Sequence, residues 1–133
     1  YDNSGLYCLK TFQIIYPINS DNVPIKYLLA LINSKMMNFY CHHYLSDDIN
    51  KKYIQSLRIK LANKKDINNI IQLVDKTLSL NNRLNELGDK NTDEKPKIEN
   101  ELRKTNVIID EYVYKIYDIT NKEQRLIEES IGN

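Results

Sequence analysis

The stretch that most constrains the fold is residues 25–61. Its first part, residues 25–44, reads as one long helix. Leu28, Leu29, Leu31, Ile32, Met36, Phe39 and Tyr40 spread over most of its circumference. A helix that is apolar nearly all round has to be enclosed by other elements. Asn33, Ser34, Lys35 and Asn38 interrupt it too often for a bilayer span. A polar loop follows, carrying Ser46, Asp47, Asp48, Asn50, Lys51 and Lys52. A buried post thus holds up an exposed loop, the usual way a scaffold presents a recognition surface.

Two stretches read as strands. Residues 6–16 are rich in aromatic and β-branched types, are apolar on both faces and stop at Pro17. Residues 54–61 end in a period of two, with Leu57, Ile59 and Leu61 on one face and Arg58 and Lys60 on the other. Asn63 is placed to cap a second long helix, whose stripe is Ile67, Ile70, Ile71, Val74, Leu78, Leu84 and Leu87, and Gly88 ends it. Residues 88–96 have no apolar side chain. A third helix over residues 97–117 carries Ile98, Leu102, Ile109, Val113 and Ile116, with Thr105 in one slot of the seam. Thr120 and Glu123 form a capping box for a last helix, residues 121–131, packed through Leu126, Ile127 and Ile131.

The expected fold class is therefore α+β: a small sheet of residues 6–16 and 54–61 packed on the buried helix, then a long antiparallel helical hairpin and a short C-terminal helix. The expected division is an α/β recognition lobe at residues 1–64 and the helical part at residues 65–133.

Charge is balanced, with 19 Lys and Arg against 18 Asp and Glu, so any attraction to nucleic acid has to come from a local patch. The first residue is Tyr, and no basic-then-apolar leader precedes the chain, which suggests a piece of a longer protein. Cys8 and Cys41 read as reduced thiols in a cytoplasmic protein. No glycine cradle for phosphate and no Gly-x-Ser-x-Gly elbow is present. The neighbours Asp47-Asp48 and Glu128-Glu129 point apart, and consecutive Cys41-His42-His43 are poorly placed to converge on one metal. No catalytic, cofactor-binding or metal-binding residue is assigned.

Three blocks carry a resemblance. The run KYLLALINSKMMNFYCHHY resembles the "Y-L-L-A-L-L-N-S-K-L-x-x-F-Y" helix of the TaqI-like C-terminal specificity domain. INKKYIQSLRIKL followed by DINNIIQLVDKTLSL is similar to that family's strand and its "I-x-x-L-V-D-K-I-L" helix. The tail IDEYVYKIYDITNKEQRLIEESI resembles the ending "I-D-x-L-V-Y-x-L-Y-x-L-T-x-E-E-x-x-I-I-E". One departure is that Arg58-Ile59-Lys60-Leu61 stands where relatives often carry "P-I-P" or "L-P-x-P". Residues 80–106 carry no family motif.

The resemblance implies a target-recognition piece of a type II restriction–modification enzyme or adenine-N6 DNA methyltransferase. Its partners would be double-stranded DNA and the methyltransferase catalytic domain of the same parent chain. S-adenosylmethionine would belong to that catalytic domain, with or without a fused endonuclease, and this piece would itself be no enzyme and need no membrane. The DNA-contacting residues expected are Ser46, Asn50, Lys51, Lys52, Tyr53, Gln55, Arg58 and Lys60, with Lys10 and Gln13 as neighbours. Lysines suit phosphates and amide side chains suit adenine edges. The competing reading is a helical interaction or dimerisation module without DNA contact, working through the hairpin.

Overall fold

The computed structural model describes residues 23–44, 57–88 and 93–131. Among them are five helices: α1 (Ile25–Ile32), α2 (Lys35–Tyr44), α3 (Lys64–Leu87), α4 (Glu94–Ile116) and α5 (Asn121–Ile131). The described residues contain no strand and no sheet, which overturns the α+β expectation. Residues 6–16 lie outside the described residues, as do residues 54–56. Residues 57–61 are described, and they have no ladder partner among the described residues.

α3 and α4 form the expected antiparallel hairpin. Asn63 caps α3, its side chain accepting from the Asp66 N–H at 2.9 Å, and Gly88 closes it at φ 54°. The cross-helix partners run in opposite order along the two helices. The Asn69 amide donates to the Tyr112 hydroxyl at 3.1 Å, Lys76 pairs with Glu101, and Arg83 grips Glu94 through Nε at 2.8 Å and Nη2 at 3.0 Å. Burial picks out the seam, since Ile70 and Val74 of α3 and Ile98, Thr105, Ile109, Val113 and Ile116 of α4 are all buried. The seam closes within the chain. Each such apolar side chain contributes about 1.5–3 kcal/mol relative to exposure.

The single apolar helix expected over residues 25–44 is two helices, broken at Asn33-Ser34. α1 packs on α3, and its Tyr27, Ala30 and Leu31 join Ile70, Val74, Ile109 and Val113 in one core. α2 turns away to pack on α4 and α5. The break has local and tertiary causes. The buried Ser34 hydroxyl donates to the Leu31 carbonyl at 2.7 Å and accepts from the Met37 N–H at 3.2 Å, the bond of an N-terminal cap. The next free amide, Lys35 N–H, donates to Asp110 Oδ1 of α4 at 2.9 Å. A carboxylate from a different helix therefore completes the cap.

α4 stops in a left-handed turn. Asp118 stands at φ 56°, and the Ile119 N–H donates to the Tyr114 carbonyl at 2.9 Å. The capping box beyond it forms as expected: the Thr120 N–H donates to Glu123 Oε2 at 2.8 Å, and the Glu123 N–H donates to Thr120 Oγ1 at 3.4 Å. α5 buries only Ile127. Leu126 is 54% exposed and Ile131 37%, contrary to the expectation that all three pack.

Burial raises the Asp110 pKa above its ordinary 3.8, and outweighs the Lys35 amide and ammonium that act to lower it. A carboxyl whose folded pKa is raised favours folding fully below its unfolded pKa, and that contribution is lost as pH rises through the folded value. Asp110→Asn keeps an acceptor for Lys35 without the buried charge. Its unfolding free energy should match or exceed that of wild type at neutral pH, and the gap should shrink as pH falls towards 3.8. Asp110→Ala removes the acceptor and should cost about 0.5–2 kcal/mol in urea unfolding at neutral pH.

Candidate functional site

The best-formed site lies where residues 57–62 cross the open ends of α1 and α4. Alternation in this segment holds over its first four residues, where Leu57 and Ile59 are half-buried and Arg58 and Lys60 exposed, but Leu61, expected on the buried face, is 50% exposed. The period of two does specify an extended backbone. What replaces the sheet is a pair of tyrosine hydroxyls. Tyr117 donates to the Arg58 carbonyl at 2.9 Å and accepts from the Lys60 N–H at 3.2 Å. Tyr27 donates to the Lys60 carbonyl at 2.7 Å and accepts from the Ala62 N–H at 3.2 Å. The even-numbered residues thus use one edge of the segment as they would in a ladder, with phenols where a neighbouring strand would stand.

The rest of the site follows from this anchoring. Lys60 pairs with Asp118, so one of the two described candidate DNA contacts is already engaged by the C-terminal turn of α4. Arg58, the other, has no side-chain partner among the described residues. It stands at the rim of an open apolar groove of about 500 Å³. α2 supplies Met36, Met37, Phe39 and Tyr40 to that groove, α5 supplies Glu123, Leu126 and Ile127, and Leu57 and Tyr117 line the remaining wall. Ser46, Asn50, Lys51, Lys52, Tyr53, Gln55, Lys10 and Gln13 lie outside the described residues.

Tyr27 and Tyr117 were not singled out from the sequence. A signal existed: a tyrosine inside an apolar helical run needs a partner for its hydroxyl once buried. Tyr27 is 0% exposed, and burial pushes its pKa above the ordinary value while the Ala62 amide pulls the other way. The hydroxyl therefore stays protonated and keeps its donor role towards Lys60.

The Cys41-His42-His43 run is a helix end. Both histidines are exposed, and His43 Nδ1 lies 3.0 Å from the Phe39 carbonyl. Burial raises the Cys41 pKa. Among the described residues no three His, Cys, Asp or Glu side chains gather as a metal site, and no helix is long and apolar enough to cross a membrane.

Tyr27→Phe leaves the Lys60 carbonyl and the Ala62 N–H without their partner, and should lower stability by about 1–3 kcal/mol in urea unfolding. Tyr117→Phe, whose bonds are solvent-accessible, should cost about 0.5–1.5 kcal/mol. Amide exchange should quicken at Ala62 in the first variant and at Lys60 in the second.

The family model of the TaqI-like C-terminal specificity domain matches residues 1–63. No curated protein and no solved structure matches the chain. The matched residues include α1, α2 and the anchored segment. The two motif blocks that resemble the family beyond residue 63 fall outside the match. A specificity domain associates the matched part with target recognition in restriction–modification enzymes. Residues 1–63, a little under half of the chain, are therefore similar to the TaqI-like C-terminal specificity domain.

Proposed function

We propose that this chain is the DNA target-recognition part of a restriction–modification enzyme or adenine-N6 DNA methyltransferase, and that it positions the catalytic domain of its parent on the target sequence. The observation that carries this reading is the specificity-domain match over residues 1–63. Local charge supports it. Lys51, Lys52, Arg58, Lys60, Lys64 and Lys65 fall within residues 49–65, where there is no Asp or Glu, although the whole chain has a net charge of only +1. Such a patch supplies the salt-sensitive, sequence-independent share of duplex binding.

In this reading Lys51 and Lys52 rest on phosphates, as mobile point charges that tolerate any sequence. Asn50 and Gln55 face base edges. Ser46, Tyr53 and Arg58 border them, and Lys10 and Gln13 are neighbours from the N-terminal segment. Lys60 takes a lesser part, since its pairing with Asp118 competes with phosphate. S-adenosylmethionine and the methyl-transfer chemistry belong to the parent's catalytic domain in the cytoplasm, and duplex binding by this piece alone is weak. The competing interaction-module reading draws less support, since the α3–α4 seam packs the chain's own side chains together.

Two measurements test the proposal. In the parent protein, Lys51→Ala with Lys52→Ala should weaken duplex binding alike on all sequences and flatten the salt slope by about 0.9 for each phosphate no longer neutralised. Asn50→Ala or Gln55→Ala should instead relax preference at one base pair, by about 1–3 kcal/mol. Wild-type affinity of the double lysine variant at every salt concentration refutes the loop as the reading head. Separately, the isolated chain should incorporate no methyl group into duplex DNA from S-adenosylmethionine and should not cut it with magnesium present.

A further inference from the structure

Residues 57–61 have two lateral edges, and among the described residues only one is hydrogen-bonded. The even-numbered edge is filled by Tyr27 and Tyr117. On the other edge, the N–H and C=O groups of Leu57, Ile59 and Leu61 have no hydrogen-bond partner among the described residues. A backbone held extended from one side and without a described partner on the other is preorganised for strand addition, because the ordering cost of the receiving segment has already been met by the fold. The bare edge also adjoins the apolar groove, whose wall includes Leu57, Met37 and Leu126.

Charge discriminates among the strands that fit. A second copy paired antiparallel about Ile59 would set Arg58 opposite Lys60 on both sides of the axis, and like charges directly opposite are destabilising. Arg58 has no carboxylate partner among the described residues, and residues 49–65 contain none. The complementary strand therefore carries acidic side chains on the face of Arg58, whose neighbour on that face, Lys60, is already paired with Asp118. On the alternate face, that of Leu57 and Ile59, it carries apolar ones.

We propose that the bare edge of residues 57–61 binds, by strand addition, an extended peptide alternating acidic and apolar residues, with its apolar side chains directed towards the groove between α2 and α5. The proposal does not rest on the DNA reading, whose test lies in Lys51, Lys52, Asn50 and Gln55.

The test titrates the whole chain with a short synthetic peptide of alternating valine and glutamate, and follows amide exchange. In the free chain the Lys60 and Ala62 amides should exchange slowly and those of Ile59 and Leu61 fast. Peptide should slow Ile59 and Leu61. N-methylating the valine amides or the glutamate amides should abolish binding in one case and spare it in the other, since a strand offers only alternate amides to its neighbour. Arg58→Lys should retain binding, and Arg58→Glu should weaken it about tenfold, as for a reversed rim charge. Three outcomes would each overturn the proposal: Ile59 and Leu61 already protected in the free chain, so that the edge is taken by the chain itself or a copy; no binding of the peptide; or equal binding of both methylated forms.

Discussion

The buried hydroxyl of Tyr27 joins the two parts of the structure. Its ring sits in the core with Leu31, Ile70 and Val113, and its oxygen bonds the backbone of Lys60 and Ala62. Through it the order of the helical body passes to a segment that has no fold of its own. A phenol suits this work because it is rigid, apolar along its body and able to donate and accept at its tip. Tyr117 repeats the arrangement one residue pair earlier, from the end of α4. The residues matched by the family model and the helical hairpin are therefore coupled through side chains that reach from one to the other.

A second coupling runs through Asp110. The carboxylate lies in the middle of α4, yet it ends the backbone of another helix by accepting the Lys35 N–H. The cost is a buried charge whose pKa is raised, and the neighbouring Tyr114 hydroxyl is buried without a partner among the described residues, its pKa pushed up to about 12 by burial and by Asp110 and Glu128. The gain is direction. Without the break at Ser34, α2 would continue along α3 in place of turning on to α5. The groove beside Leu57 exists because α2 turns.

Charged side chains divide by position. Those along the helix contacts are paired: Lys26 with Asp75, Lys76 with Glu101, Arg83 with Glu94, and Lys115 with Asp66 at 3.7 Å. These exposed pairs add little stability individually, about 0–1 kcal/mol. Their effect is to offset charge on the hairpin, and the acid-free run at residues 49–65 stands out against a remainder in which Asp and Glu outnumber Lys and Arg. A chain of near-zero net charge can present a local positive field in this way.

The helical hairpin, the Asn63 cap, the Gly88 stop, the Thr120–Glu123 box and the specificity-domain family were legible from the sequence because each is a short-range pattern. A stripe at three-and-four spacing, a side chain three residues from its amide and a motif are complete within a few residues. The anchoring of residues 57–62 was not legible, nor was the bend at Ser34. Alternation at Leu57–Ile59–Leu61 states that the backbone is extended. It does not state whether a strand or two phenols will satisfy that backbone, since Tyr27 and Tyr117 are far away along the chain. In the same way, Asn33-Ser34 permits a helix to continue or to bend, and the choice fell to Asp110, a residue that only packing brings to Lys35. Local chemistry determined which elements form, and tertiary hydrogen bonds from distant side chains decided how they join.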